Sequence, residues 1–486
     1  VFLSSVLPPF QFVPALIRVI TAPEALFVFG LAAILVVSLV FGRVYCSFLC
    51  PLGSLQDIFI VLSRRVGLRR KHSFRKPANI LRYAILAATT ATAAFGSMIF
   101  LIFLDPYSLT GRFIAHLVEP VFVRTTNAGI QALKHADVYF FAKETAFIPM
   151  SVLAVTLAFF MVVLILSLKY GRLYCNTVCP VGTFLGILSR VSLFKLAIDG
   201  TGCNQCGRCE MICKAGCIDA ASGSIDESRC VGCFDCLDVC PKAVIRYATP
   251  WRKAAAGDEW SPARRGFLAA AVAGAGALFF AFLAGVRNIF GAAAHAGSVQ
   301  NLPVTAPGSI DLAHFKSACT ACHLCVSACP THVLTPSVWN FGMPVFMQPV
   351  LDFEKSFCEY GCNVCGRVCP TGAILPLALE EKQLIQIGEA KLLEDKCVVY
   401  VDGNNCGACG EVCPTHAIAF TDKENVLYPR VEAQYCTGCG ACQLVCPTAP
   451  KAIVVLPNAV HKKAERYMPE AAPEKKSRSA DEGFPF

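Results

Sequence analysis

The chain has 486 residues, of which 55% are hydrophobic and 16% charged. Soluble proteins are rarely so apolar, so this composition predicts a membrane part. The net charge of +9 does not indicate nucleic-acid binding, because seven Lys or Arg residues fall within residues 64–76, where positive charge sets membrane topology. The 29 cysteines do not indicate a secreted disulfide scaffold, since such scaffolds are short and soluble.

Residues 1–200 are predicted to form a membrane domain of α-helices. Residues 1–17 are uncharged but interrupted by three prolines, and we interpret them as a membrane-edge segment. Three apolar runs are long enough to approach or cross a hydrocarbon core of ~30 Å, at residues 25–42, 83–104 and 145–168. The basic segment marks the inner side, and residues 105–144, whose charges balance, are predicted to form an outer loop.

A repeated motif follows each predicted pair of helices: the sequence Phe41–Gly53 matches Tyr170–Gly182. Each copy contains Cys-x-x-x-Cys-Pro, and cysteines four apart share one face of a helix. The two copies together predict a four-thiolate site at the membrane edge, suited to an iron–sulfur cluster or another thiophilic metal. Its ligands would be Cys46, Cys50, Cys175 and Cys179. Structural or redox-active thiols without metal are the alternative.

Residues 201–250 contain the spacing Cys-x-x-Cys-x-x-Cys-x-x-x-Cys twice, which is typical of two-cluster ferredoxins. In such proteins the fourth cysteine of each run ligates the other cluster. One [4Fe–4S] cluster is therefore expected on Cys203, Cys206, Cys209 and Cys240, and a second on Cys230, Cys233, Cys236 and Cys213. Paired Cys-x-x-Cys motifs also suit zinc, which we favour less. Cys217 fits neither run and is predicted to be a buried thiol.

Residues 251–290 combine basic residues with another apolar run. Arg264 and Arg265 directly precede residues 266–286, which carry no charge. This resembles a twin-arginine export signal, and the positive-inside rule places the following residues outside. A plain membrane helix with basic flanks is the alternative. Residues 291–311, rich in Ala, Gly and Pro, are predicted to be a linker.

Residues 312–460 hold four further cysteine runs, which predict four more [4Fe–4S] clusters and six in total. The runs are Cys319, Cys322, Cys325, Cys329; Cys358, Cys362, Cys365, Cys369; Cys397, Cys406, Cys409, Cys413; and Cys436, Cys439, Cys442, Cys446. Because the first and fourth are regular and the middle two are not, we expect first to pair with fourth and second with third. Sequential pairing of neighbouring runs is the alternative. Residues 461–486 are polar and charged, and are predicted to be a disordered tail.

The predicted fold is thus a membrane α-helical bundle with two bacterial-ferredoxin-like α+β modules. Residues 1–250 resemble the NapH family of membrane quinol dehydrogenases, through the two Cys-Pro motifs, the stretch Asp105–Arg112 and the two-cluster module. Residues 261–455 resemble the NapG (MauM) family of exported polyferredoxins, so the chain looks like a fusion.

The resemblance implies electron transfer from menaquinol or ubiquinol to a periplasmic reductase or cytochrome, within a larger respiratory complex. It places the protein in the cytoplasmic membrane, with the first module cytoplasmic and the C-terminal module periplasmic. A wire carrying electrons from a cytoplasmic donor is one alternative. A redox-sensing or maturation protein for a periplasmic metalloenzyme is another.

Quinol oxidation releases protons, so its site needs a titratable group near the membrane edge. His116 and Glu119 are three residues apart and would share a helical face, and Arg112 lies one turn earlier. These three residues form the predicted quinol site. Location in a solvated outer loop without function is the alternative reading, and Asp57 is the competing inner candidate.

Overall fold

The computed structural model describes residues 7–65, 73–134, 148–200, 202–249, 302–338 and 340–468. The predicted export signal, the apolar run at 266–286 and the end of the predicted tail from residue 469 lie outside these residues.

The described part of residues 7–200 is a bundle of helices. After a 3₁₀ turn at Pro8–Phe10, its α-helices are α1 (Phe12–Thr21), α2 (Ala25–Phe41), α3 (Tyr45–Phe48), α4 (Pro51–Arg65), α5 (Asn79–Ala94), α6 (Ile99–Leu104), α7 (Pro106–Phe113), α8 (Glu119–Lys134), α9 (Met150–Tyr170), α10 (Leu173–Thr177) and α11 (Pro180–Ser189). A π-helical turn, Ile114–Val118, joins α7 to α8.

One helix in the described residues, α9, is long and apolar enough to cross a membrane by length and composition. Helix α2 matches the predicted run at 25–42 but is shorter. The predicted run at 83–104 is divided into α5 and α6, because the chain turns at Gly96, whose φ of +76° favours glycine.

The segment interpreted as a membrane edge is helical from Phe12 and is largely buried within the bundle. Phe12, Ala15 and Ile17 of α1 are buried. The proline in this helix, Pro14, falls in the first turn, where a missing N–H removes no hydrogen bond. Helix α2 packs directly on the 3₁₀ turn, since a Cβ at Gly30 would lie 2.0 Å from the Pro9 carbonyl oxygen.

The predicted outer loop is wrong for residues 105–134, which are helical. Asp105 caps α7 by accepting a hydrogen bond of 2.8 Å from the Ser108 backbone N–H, and Pro106 occupies the first helical position. Arg112 and His116 are buried. Balanced charge suggested a solvated loop, but several of these polar groups have partners inside the protein, so the solvated-loop alternative for the two buried residues is also wrong.

The first ferredoxin-type module occupies residues 195–248. Its antiparallel strand pairs are β1 (Lys195–Ile198) with β4 (Ile245–Ala248), and β2 (Ile218–Asp219) with β3 (Ser224–Ile225). Its two short helices are α12 (Arg208–Ile212) and α13 (Asp235–Val239). Each helix begins beside the third cysteine of a run, so local helix formation places the cysteines around a common centre.

The C-terminal module consists of two ferredoxin-type halves. The first half contains α14 (Leu312–Ala318), α15 (Leu324–Ala328), β5 (Leu334–Pro336), a 3₁₀ turn (Met343–Val345), β6 (Pro349–Leu351) and α16 (Val364–Val368). The second contains α17 (Leu379–Lys382), β7 (Ile385–Leu392), a 3₁₀ turn (Glu394–Lys396), α18 (Val398–Asp402), α19 (Ala408–Glu411), β8 (Ile418–Lys423), β9 (Val426–Val431), α20 (Ala441–Val445) and β10 (Ile453–Lys463). The antiparallel pairs are β5 with β6, β7 with β10 and β8 with β9.

Two predicted boundaries of this module are corrected. Residues 302–311 are not a free linker, because Val304 and Ala306 are buried and the Val304 carbonyl accepts a hydrogen bond of 3.0 Å from the Leu351 N–H. The predicted tail begins too early, since β10 continues to Lys463.

The two modules contact opposite ends of α2. At its C-terminal end the Phe41 carbonyl accepts a hydrogen bond from the Tyr247 hydroxyl of the first module, at 3.1 Å. Just before its N-terminal end the Thr21 hydroxyl donates to the Thr371 carbonyl of the C-terminal module, also at 3.1 Å. Helix α2 has 17 residues, so the bundle separates these contacts by about 25 Å at 1.5 Å per residue.

Candidate metal centres

The structure brings together the four cysteines of the second predicted set of the first module. Cys213, the fourth of its run, lines one cavity together with Cys230, Cys233 and Cys236 of the other run. Cys217 is 1% exposed and lies in the same cavity, with its sulfur 3.6 Å from that of Cys213. It is therefore buried as predicted, and it directly contacts a predicted ligand.

The expected pairing of the four C-terminal runs is wrong, because neighbouring runs pair. Cys413 lines a cavity with Cys436, Cys439 and Cys442. Cys446 lines another with Cys397, Cys406 and Cys409. In the first half, the Cys369 thiolate contributes to raising the pKa of Cys322 and Cys325, and that of Cys329 does so for Cys358 and Cys365, after the larger effect of burial.

The irregular spacings of the two middle runs have a local cause. The gap between Cys397 and Cys406 is filled by α18, a single helical turn that leaves the order of the runs unchanged. An insertion of this kind changes a loop and does not exchange partners. Regularity was therefore not a guide to pairing.

The repeated Cys-Pro motifs meet in the core. Cys46, Cys50, Cys175 and Cys179 are each at most 4% exposed. The two copies hold each other through their arginines: Arg43 donates to the Cys175 carbonyl at 3.1 Å, and Arg172 donates to the Cys46 carbonyl at 2.7 Å. This reciprocal bonding gives the site an approximate two-fold relation.

Each copy also needs its glycine. A Cβ at Gly53 would lie 2.2 Å from the Cys46 carbonyl oxygen, and one at Gly182 would lie 2.2 Å from that of Cys175. The repeat itself was the signal for these arginines and glycines, which the sequence analysis did not single out.

Four soft thiolate donors fit an iron–sulfur centre or another thiophilic metal. Among the described residues, no group of three or more His, Cys, Asp or Glu is spaced to hold a single metal ion. The four soft donors that the two motif copies bring together support a metal centre here.

The motif cysteines lie next to the second cysteine set of the first module. Ser47, which follows Cys46, donates to the Val231 carbonyl at 2.7 Å. Asn176, which follows Cys175, donates to the Ala215 carbonyl at 3.0 Å. Because Val231 follows Cys230, and Ala215 is two residues past Cys213, equivalent positions of the repeat bind the chain beside two predicted ligands.

Asp57, the competing quinol candidate, belongs to this inner interface. Its carboxylate forms ion pairs with Arg172, at 2.8 Å, and with Lys214, at 3.3 Å. Lys214 also pairs with Asp235 at 3.0 Å. Two cations thus hold the Asp57 carboxylate between bundle and module.

The three quinol-site candidates lie together at the other end of the bundle, against the C-terminal module. His116 Nε2 lies 2.8 Å from His323 Nδ1, and His116 Nδ1 lies 3.0 Å from the Thr156 hydroxyl. His323 Nε2 lies 2.7 Å from the Met347 carbonyl. Burial lowers the pKa of His116 to about 4, with a smaller contribution from Arg112.

Glu119, directly after the π-helical turn, and His116, within that turn, bind different residues of the C-terminal module. The Glu119 carboxylate accepts a hydrogen bond from Ser327 of α15, while His116 bonds His323 directly before that helix. A Cβ at Gly111 would lie 2.7 Å from the Cys322 carbonyl oxygen, so backbone contacts backbone beside a predicted ligand. Sequence gave no signal for Thr156 or His323 as partners of His116.

Family models match both halves of the chain. A family described as "4Fe-4S binding domain" matches residues 23–69 and 152–198, which contain the two Cys-Pro motifs. A family described as "4Fe-4S dicluster domain" matches residues 318–373 and 404–449. Each of the latter matches covers two neighbouring runs or their greater part, in agreement with the corrected pairing.

Among curated proteins, the chain is similar to the ferredoxin-type protein NapH of Haemophilus influenzae, with 28% identity over 47% of this chain and 70% of that protein. The methylamine utilization ferredoxin-type protein MauM of Methylobacillus flagellatus is 33% identical over 31% of this chain and 67% of its own length. The putative electron transport protein YccM of Escherichia coli is 26% identical over 44% of this chain and 53% of that protein.

Proposed function

We propose that this iron–sulfur electron-transfer protein, which belongs to the MauM ferredoxin-type proteins and is similar to NapH, oxidises quinol in the cytoplasmic membrane. It would pass the electrons to a periplasmic reductase or cytochrome. Clusters bound at its cysteine sets would accept and release single electrons. The observation that carries this proposal is a series of contacts that links the second cysteine set of the first module, the motif cysteines and the C-terminal sets.

The series begins in the first module. Cys206 is exposed, so its set is accessible to solvent, and the second set adjoins the motif cysteines through Ser47 and Asn176. From there Tyr174, one residue before Cys175, donates to the Leu104 carbonyl at 3.0 Å. Leu104 precedes the Asp105–Arg112 stretch, which reaches Cys322.

The C-terminal module continues the series. The first two cysteine runs contribute ligands to each other's sets. The two halves of the module contact where the Cys358 N–H donates to the Cys439 carbonyl at 2.8 Å. Both residues are predicted ligands, of different sets. Electrons can therefore pass between sets whose ligands belong to contacting segments.

We assign the motif cysteines Cys46, Cys50, Cys175 and Cys179 as a seventh iron–sulfur site. Without it, the bundle would leave a gap between the two modules. The family match at both motifs supports this assignment. The reciprocal arginine bonds stabilise the two halves of the site before any cluster is bound.

Several features support a membrane location with the modules on opposite sides. The apolar helix α9 has the length of a span, and the modules contact opposite ends of α2. Arg75, in the described part of the basic segment, lies against the first module, because its N–H donates to the Gly216 carbonyl at 3.3 Å. By the positive-inside rule the first module is cytoplasmic. Protease added to spheroplasts should then cleave residues 302–468 and spare 202–249.

The decisive experiment is reduction by quinol. Membrane vesicles containing the chain are mixed with menaquinol or ubiquinol, and the loss of visible iron–sulfur absorbance is followed. Rapid bleaching supports the proposal, whereas bleaching only by a cytoplasmic reductant would support the alternative of an outward wire. No sustained turnover with any acceptor would favour the maturation alternative.

Iron content tests the number of sites. Six [4Fe–4S] clusters require about 24 iron atoms per chain, and the seventh site adds to that number. Changing Cys46 and Cys175 together to Ser should remove only the additional iron. A value of about 8, from the two clusters of one module, would show that the C-terminal runs bind none.

A further inference from the structure

We propose that quinol binds in a cleft between α4, α7 and α9, where Arg112 contacts one ring oxygen and the Thr156–His116 pair accepts one of the two protons. This inference rests on the proposed function and gives it a site. The open space in this cleft is about 20 Å³, room for about one water molecule, so its walls must move apart to admit the quinol ring.

The lining of the cleft matches an amphipathic ring with an apolar tail. Its walls are formed mainly by apolar side chains such as Leu55, Phe113 and Phe160, and its polar lining residues are Arg112 and Thr156. A few polar groups on an apolar wall orient such a ligand. Helix α9, the helix with the length of a membrane span, provides one wall, so the tail can extend into lipid.

Arg112 has a hydrogen-bond donor available for the ligand. It is 3% exposed, and its Nη2 donates to the Ile102 carbonyl. Its Nη1 is buried and has no hydrogen-bond partner among the described residues. A buried donor without a partner is costly, and a quinol oxygen in the adjoining cleft would satisfy it.

The histidine network has room for one additional proton. In the neutral state the Thr156 hydroxyl donates to His116 Nδ1, His116 Nε2–H donates to His323 Nδ1, and His323 Nε2–H donates to the Met347 carbonyl. When His116 gains a proton at Nδ1, that N–H donates to the Thr156 oxygen. The hydroxyl then turns to the Val152 carbonyl, which lies 2.9 Å away.

Every polar atom of this network is bonded in both states, and only one hydroxyl rotates between them. The charged and titratable groups around His116 are Arg112, Glu119 and His323. Both His116 and His323 are at most 4% exposed, so bulk water does not supply the missing partners. His323 comes from the C-terminal module, and the proton site is therefore incomplete without that module.

The cleft also lies close to predicted cluster ligands, as electron transfer from quinol requires. Leu52, in its wall, is two residues past Cys50, and Gly111, beside Arg112, touches the Cys322 backbone. One quinol loses two electrons and two protons to become quinone. Clusters held by the cysteine sets on the two sides would take the two electrons one at a time. One proton passes through the Thr156 hydroxyl to His116, and the other is released to bulk water from the open side of the cleft.

The first test removes the hydroxyl. Thr156→Val preserves the volume of the side chain but leaves protonated His116 with an unbonded Nδ1–H. We expect quinol to reduce the chain at least tenfold more slowly, while dithionite reduces it normally. Thr89→Val is the matched control, because Thr89 is also buried in a helix and donates to the carbonyl four residues earlier, at 2.7 Å.

The second test fills the cleft and measures binding. Val155→Trp should abolish labelling of α9 by a photoreactive azidoquinone, whereas Val162→Trp, on the 53% exposed side of the same helix, should leave it intact. Arg112→Gln should weaken labelling at least tenfold. Iron content is measured in every variant, to confirm that the fold is retained.

The outcomes separate this site from the proposed function. If quinol fails to reduce the wild-type chain, the function itself is wrong. If quinol reduces wild type, Thr156→Val and Val155→Trp at the same rate, and labelling persists, the cleft is not the site. Equal slowing by Thr89→Val and Thr156→Val would also overturn the role of the Thr156 hydroxyl.

Discussion

The two ends of the helical bundle hold their modules by different chemistry. At the end that contacts the first module, here called the inner end, Arg43, Arg82 and Arg172 are each at most 1% exposed, and ion pairs join Arg172 and Lys214 through Asp57. At the end that contacts the C-terminal module, here called the outer end, the contacts are small and mostly neutral: His116 with His323, Thr21 with Thr371, and the backbone at Gly111 with that of Cys322.

This difference bears on how each interface forms. A buried arginine whose partner is removed is strongly destabilising, so the inner module and the bundle are bound to each other as one unit. Among the described residues no ion pair crosses the outer interface, where the Glu119 carboxylate accepts from the neutral Ser327 hydroxyl, so these contacts can be exchanged for water at lower cost. An outer module of this kind is able to fold separately and then dock, which agrees with the similarity of the chain to two separate proteins, NapH and MauM.

The largest effect is expected at the inner end, from Arg172→Met. This change removes the partner of Asp57 and of the Cys46 carbonyl, and should cost about 3 kcal/mol, the lower end for a broken buried ion pair. Thermal unfolding in detergent and iron content measure the loss. Arg190→Met, on an exposed residue, should change stability by no more than about 0.5 kcal/mol. Equal effects of both changes would contradict the distinction between the two interfaces.

A smaller effect is expected at the outer end, from Gly111→Ala. The new Cβ would lie 2.7 Å from the Cys322 carbonyl oxygen, which forces backbone apart and should cost about 1–3 kcal/mol. Hydrogen exchange at residues 114–118 should accelerate as the module separates. Gly129→Ala is the control, because a Cβ there meets nothing within 4 Å; it should stabilise α8 slightly. Unchanged protection at 114–118 would show that this close approach is unimportant.

The sequence predicted the parts of this molecule that local spacing determines. The cysteine runs identified both ferredoxin-type modules, and the repeat identified the four motif cysteines, because ligand chemistry fixes spacing over a few residues. Helices α2 and α9 followed from apolar runs alone.

The remaining features depend on long-range contacts. The pairing of the C-terminal runs depends on which halves pack together, and regular spacing carried no information about that. Residues 105–134 have balanced charge, and only the folded chain shows that Arg112 and His116 are buried. His323 reaches His116 across 207 positions of sequence, a contact that no local pattern predicts.

The C-terminal module should lose stability in acid, through a residue away from both interfaces. His461 Nε2 lies 3.0 Å from the Thr305 hydroxyl, and burial lowers the pKa of His461 to about 4. An unfolded histidine has a pKa of about 6.5, so its protonation favours the unfolded state below that pH. Stability is fully present above pH 6.5 and falls by about 1 kcal/mol for the first unit below it.

Calorimetry of the chain between pH 7 and 5.5 measures this slope. His461→Asn should make the slope smaller, because asparagine does not titrate, while buried His116 continues to contribute. The exposed His416 provides the control, since His416→Asn should leave the slope unchanged. If His461→Asn keeps the full slope, another group is responsible for the acid sensitivity.

The smallest effect is expected at Cys217, which sharpens the inner side of the comparison. Its thiol lies 3.6 Å from the Cys213 sulfur and donates a weak hydrogen bond to that ligand, which stabilises the more negative, reduced state of a cluster. Cys217→Ala should lower the midpoint potential by about 20 mV, equivalent to about 0.5 kcal/mol for one electron. Cys217→Ser retains a donor and should shift it less. Potentials are measured by redox titration with electron paramagnetic resonance.

The iron content should be unchanged in Cys217→Ala, whereas Cys230→Ala should lose about four iron atoms with its cluster. Equal iron loss in both variants would make Cys217 a ligand.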